Sequence, residues 1–157
     1  MEPQKVDPAT VNVWRCEAVF TVLALSLPAL LVALVGLPGP VLVAMVLAAS
    51  IAIVVAMVIA WVLPSAQYQA LDYEVDEAGI SIRSGIVWRS QIRLPRVRIQ
   101  HTDVSQGPLQ RRFGVATLKL YTAGSRYTRI DLPGLAHDEA LALRDALIAR
   151  TGAGSGV

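Results

Sequence analysis

From residue 18 to residue 63 the chain carries no charged side chain, and its apolar pattern divides only at Gly36, Leu37, Pro38, Gly39 and Pro40. The two runs, 18–37 and 41–63, are about 20 and about 23 residues long; at ~1.5 Å rise per residue each spans a roughly 30 Å hydrocarbon core. Lipid offers no partner for a free backbone group, so the pattern predicts a hairpin of two transmembrane helices. A signal peptide has a shorter apolar core and leads into a soluble chain, whereas this run flows straight into a second one.

From residue 66 the period changes to alternation with glycine-containing turns, which predicts short antiparallel strands at 68–75, 80–83, 86–94, 96–104, 115–122 and 126–132. The turns fall at Asp76-Glu77-Ala78-Gly79, Ser84-Gly85 and Ala123-Gly124-Ser125, and residues 106–114 break the series. Within 86–94, Trp88, Ile92 and Leu94 alternate with Arg89, Gln91 and Arg93, which makes Trp88 an expected core residue. The phase slips before Val104, the mark of a bulge within 100–103. A closing helix is expected at 137–150, with Ala140, Leu143, Leu147 and Ile148 on one face and Asp138 and Glu139 in the first turn. The domain reading is therefore a loose N-terminal tail at 1–17, the hairpin at 18–63, a folded domain at 66–150 and a flexible tail at 151–157. The fold class is an α+β membrane protein: a two-helix transmembrane hairpin followed by six or seven strands and a C-terminal helix, the layout of a pleckstrin-homology-like (PH-like) β-barrel capped by that helix.

Composition sharpens this picture at a few points. The mean hydropathy of +0.52 comes mostly from the two runs, leaving about 85 residues for one small soluble core. Of 14 Lys and Arg residues only Lys5 and Arg15 precede the first run and none lies between the runs. The positive-inside rule then puts both termini in the cytoplasm of a two-pass plasma-membrane protein. Trp14 with Arg15, and Trp61 with Tyr68, stand where interfacial anchors belong. Inside the runs, Pro28 is expected to bend the first helix, and Ala44, Ala48, Ala52, Ala56 and Ala60 form a row of small residues facing Ala29, Ala33 and Gly36. No ionisable group is present there to relay protons or bind ions.

Candidate chemistry is sparse. Cys16 is the single cysteine, so no internal disulfide can form. His101 and Asp103 share a strand face without a third partner, and His137 begins a helix, so neither catalysis nor a metal site is expected. The glycines are scattered singly, unlike a phosphate-binding loop, and no cofactor is expected.

The string Leu94-Pro95-Arg96-Val97-Arg98-Ile99-Gln100-His101-Thr102-Asp103-Val104, with Gln106-Gly107-Pro108-Leu109, Arg111-Arg112-Phe113-Gly114, Thr122-Ala123-Gly124 and Leu132-Pro133-Gly134-Leu135, resembles the bacterial pleckstrin-homology membrane proteins of the YdbS-like type. The likeness covers almost the whole chain; Leu94 stands where Ile is usual and Thr102 where Val is usual. It implies fold and membrane attachment, and it brings no assigned reaction.

The remaining signal is basic. Arg89, Arg93, Arg96, Arg98, Arg111 and Arg112, with Gln100, His101, Asp103, Gln106 and Gln110, make up the candidate binding surface. Within it, Phe113 is expected to anchor a loop that holds Gln110, Arg111 and Arg112 outward. The first PH-like turn is acidic at Asp76-Glu77, which argues against a phosphoinositide site of the eukaryotic kind. The expected partners are the membrane lipid bilayer and another membrane protein, one with related PH-like domains among the candidates; nucleic acid is not expected, because the aromatics are spaced as core residues. The expected role is a membrane-anchored binding or scaffold module without catalysis at the cytoplasmic face, and the alternative is a regulator that responds to lipid headgroups.

Overall fold

A helix must find acceptors for its first N–H groups, and Asp7-Pro8 supplies the solution. Asp7 Oδ1 accepts from the Ala9 amide at 2.7 Å, and Pro8 has no N–H to satisfy, so α1 (Ala9–Gly36) begins well ahead of the apolar run. α2 is Gly39–Gln69. The computed structural model describes residues 4–36, 39–122 and 129–149. Leu37 and Pro38, the Ala123-Gly124-Ser125 turn, Tyr127, Arg150 and the 151–157 tail lie outside them, as do the side chains of Ala29, Ala33 and Gly36. The chain forms two compact units, Trp14–Ser65 and the combination of Met1–Val13 with Ala66–Val157.

In the helical unit, α2 is half-buried at Leu42, Val46, Ala49, Ile53, Ala56 and Met57, and buried at Ala60. These alternate three and four residues apart, the spacing that keeps a stripe on one side of a helix. The expected alanine row holds only at Ala56 and Ala60; Ala44, Ala48 and Ala52 are exposed. A strict four-residue step rotates about 40° each time against a 3.6-residue turn, so the row leaves the seam. The hydroxyls of Thr21, Ser26 and Ser50 each donate to a carbonyl of their own helix, which removes the cost of placing them in lipid. At the open end of the hairpin Arg15 reaches across: Nε donates to the Trp61 carbonyl at 3.1 Å, NH2 to Ser65 Oγ at 2.9 Å, and the guanidinium lies 4.4 Å from the Trp61 ring centre.

The second unit contains a four-stranded antiparallel sheet, β1 (Gln4–Lys5), β2 (Asp72–Val75), β3 (Gly79–Ser84) and β4 (Ser90–Pro95), in that order. A three-stranded sheet follows, β5 (Ile99–Ser105), β6 (Val115–Thr122) and β7 (Arg129–Ala136), with the short α3 (Pro108–Arg112) between β5 and β6. α4 (His137–Ala149) packs against all three strands of the second sheet. Buried side chains come from both sheets and the helix, among them Tyr73, Ile80, Leu94, Leu118, Leu120, Leu132 and Leu147.

The sheets do not close into the expected barrel. Pro95 lacks the N–H that would continue the ladder, and Arg96–Arg98, expected as strand, forms a single 3-10 turn that carries the chain from β4 into the other sheet. The bulge expected in 100–103 falls between Ile99 and His101. A second, between Ala116 and Thr117, sits opposite Pro133 to Leu135, where Gly134 takes φ +86°.

Residues 4–13 are not the loose tail that their composition predicts. β1 pairs with β2, Lys5 Nζ lies 2.6 Å from Asp72 Oδ1, and Val6, Thr10 and Val13 are buried. The Asp7 amide and Thr10 Oγ1 both donate to the Gly134 carbonyl, at 2.7 and 3.0 Å. This segment thus links the edge of the first sheet to the last strand of the second.

Candidate functional site

The β3–β4 hairpin ends in a turn that no ordinary residue could make. Gly85 takes φ +105°, and the Trp88 carbonyl folds back so closely that a Cβ on Gly85 would stand 1.9 Å from its oxygen. The strands therefore separate between Ser84 and Ser90, and Ile86, Val87 and Trp88 project from the loop. Val87 is 85% exposed and Trp88 89%. Burying an aliphatic side chain of this class is favourable by ~1.5–3 kcal/mol, so the loop forgoes a gain that the core could have taken. The expected core role of Trp88 is thus corrected.

Beside the loop lies an open cleft of about 660 Å³, lined by Ala66 and Gln69 of α2 together with Arg83, Gly85, Ile86 and Arg89. Asp72 also lines it, with its carboxylate paired to Lys5. Arg83 lies 3.7 Å from Glu74.

The candidate arginines do not form one patch. Arg89 precedes β4, Arg93 sits within it opposite Ser81, and Arg96 and Arg98 follow it; a six-residue strand separates its ends by roughly 20 Å. Arg96 is a structural tie: NH2 donates to the Asp76 carbonyl at 2.9 Å and NH1 to that of Ala146 at 3.3 Å, which fastens the β2–β3 turn and α4. Gln106 and Gln110 are likewise spoken for. Gln106 Nε2 donates to the Val115 carbonyl, and Gln110 accepts from the Gly107 amide and donates to Thr117 Oγ1, so both hold α3 in place instead of facing outward. Phe113 is half-buried, and Arg98, Gln100, Arg111 and Arg112 are exposed. His101 lies against Tyr121 with ring centres 5.8 Å apart, and Asp103 stands opposite Lys119 on β6. Among the described residues no group of three or more His, Cys, Asp or Glu could hold a metal ion.

Residues 18–151 match the family described as Bacterial PH domain. The chain belongs to the bacterial PH domain family. This PH-like chain is also 31% identical, over 145 residues, to the UPF0699 transmembrane protein YdbS of Bacillus subtilis (strain 168), which covers 91% of this chain and 89% of that protein. No solved structure matches it. With two helices long and apolar enough to cross a membrane, it is a membrane-associated PH-like module. Its loop residues Ile86, Val87 and Trp88 escaped the sequence pattern because the alternation of β4 runs back as far as Trp88; the signal available was three apolar residues in a row directly after Ser-Gly.

Proposed function

We propose that this bacterial PH protein is a non-catalytic binding and scaffold module of the plasma membrane, crossing it twice and presenting its PH-like unit at the cytoplasmic face. The observation that carries the topology is the pairing of β1 with β2. Segments on either side of Trp14–Ser65 build one unit, so the intervening chain must cross the bilayer an even number of times. The excess of Lys and Arg outside the runs favours the cytoplasm as their side. A scaffold role fits exposed groups that are spread over the unit; of the candidate acid–base pair, His101 lies against the Tyr121 ring, and Asp103 is exposed at a register position opposite Lys119.

The expected partner is another membrane protein, bound in part through Arg111 and Arg112 on α3. Purification of the tagged full chain from its own membrane, with and without Arg111→Ala and Arg112→Ala, tests this. The double variant should melt as the parent does, because exposed charges contribute little, and should lose the co-purifying protein. Retention of every partner by a normally folded double variant would remove α3 from the binding surface. The reading as a headgroup-responsive regulator is favoured by one observation, the presence of Arg83 and Arg89 along the cleft. It predicts a response of the full chain to anionic lipid that fades with salt.

A further inference from the structure

We propose that the β3–β4 loop is a second, non-spanning attachment to the bilayer: Val87 and Trp88 seat among the headgroups and upper acyl chains, and Arg89 remains at the level of the lipid phosphates. This goes beyond a scaffold role, since the occupant is the lipid surface itself and not a protein partner.

Three observations point to lipid. The first is the composition of the tip. From Gly85 to Ser90 the loop reads Gly-Ile-Val-Trp-Arg-Ser, with aliphatic bulk, an indole and a cation and no acidic residue. Tryptophan favours the membrane–water interface because its ring is apolar and its N–H still finds a partner there, and arginine pairs with phosphate. The second is place. Ala66 and Gln69, which share the cleft with Gly85, Ile86 and Arg89, belong to the continuous helix α2. Ala66 follows the last residue of the second apolar run, Leu63, by one helical turn, about 5 Å of rise. The loop therefore lies beside the first residues of the PH-like unit to follow the apolar run in the chain. The third is the outward turn of the tip. With Gly85 at φ +105° and the Trp88 carbonyl where its Cβ would stand, Val87 and Trp88 already face outward, 85% and 89% exposed, before any contact with lipid.

The same unit contains its own control. Val97 is as exposed as Trp88, 89% for each, yet it lies in the turn after β4 while the loop lies before it. In a Cys16→Ser background the full chain would carry either Val87→Cys or Val97→Cys, labelled with a polarity-sensitive fluorophore. Each would be reconstituted into vesicles of phosphatidylcholine and phosphatidylglycerol in equal parts. The label at 87 is expected to emit at shorter wavelength, to be quenched by lipids spin-labelled near the headgroup, and to be shielded from iodide; the label at 97 should remain open to iodide. Independently of any label, spin-labelled lipid should quench the emission lost on Trp88→Phe as well as the emission of Trp14 and Trp61 that remains in that variant. Equal iodide access at 87 and 97 in these vesicles overturns the proposal. Shielding of 87 in native membranes but not in protein-free lipid overturns it in favour of a protein surface. Failure of the scaffold reading would show instead as unchanged co-purification, which these spectra do not report.

Discussion

The Thr102 hydroxyl is buried on β5 without a hydrogen-bond partner among the described residues. Leaving such a group dry costs about 1–3 kcal/mol, and valine has nearly its shape. Thr102→Val should therefore stabilise the chain, by ~0.5–2 kcal/mol, read as a higher denaturation midpoint in detergent. Gly134 is the opposite case. At φ +86° a Cβ there would come within 2.5 Å of Thr10 Oγ1, so Gly134→Ala combines backbone strain with a clash and should cost on the order of 1–3 kcal/mol. Tyr73 ties β2 to α4 by donating to the Glu139 carboxylate. Burial, reinforced by that bond and by the carboxylate's charge, pushes the phenol well above its usual value. Because the folded phenol holds its proton more tightly than the unfolded one, its contribution is complete below about pH 10 and declines as pH rises beyond it. Melting temperatures should fall more steeply above that pH for the parent than for Tyr73→Phe.

Among the elements, α2, α4 and the apolar part of α1 were legible from the sequence of this bacterial PH protein, whereas its pattern predicts a break in place of α3 and a tail over residues 9–17 of α1. α4 keeps Ala140 and Leu147 in the core and Leu143 half-buried, as a 3.6-residue period predicts, but Ile148, expected on the same face, is exposed. Trp88 could not be placed the same way. Alternation marks it as inward, and only the backbone of the Gly85 turn, where a carbonyl occupies the space of a Cβ, turns it out. The N-terminal segment was hidden for a different reason: its burial depends on partners far along the chain, although Asp7-Pro8 already carried the signature of a helix start. The basic candidates show the same limit, since nothing local in Arg96, Gln106 or Gln110 separates a structural tie from an exposed ligand. For α1 and α2, the half-buried stripe makes a sharp comparison. Ala56→Leu should overpack the seam and cost ~1–3 kcal/mol, while Ala52→Leu, on the exposed side, should change detergent melting little. Equal effects of the two would place the seam elsewhere.

At the scale of the whole molecule, the proposed two-pass topology makes one demand: reporters fused after Val157 and ahead of Gln4 must report the same compartment, and one inserted at Gly39 the other. Opposite readings at the two ends would be incompatible with β1 on β2. The contact between Thr10 and Gly134 has a further consequence, in the order of synthesis. Its partners are 124 residues apart, so at ~5–20 residues per second the ribosome needs about 6–25 s after making Thr10 to deliver the carbonyl that Thr10 binds. Through that interval α1 and α2 are already made, while Thr10 and the Asp7 amide wait for the Gly134 carbonyl with water in its place. The segment around Thr10 thus leaves the ribosome well before it can find its place.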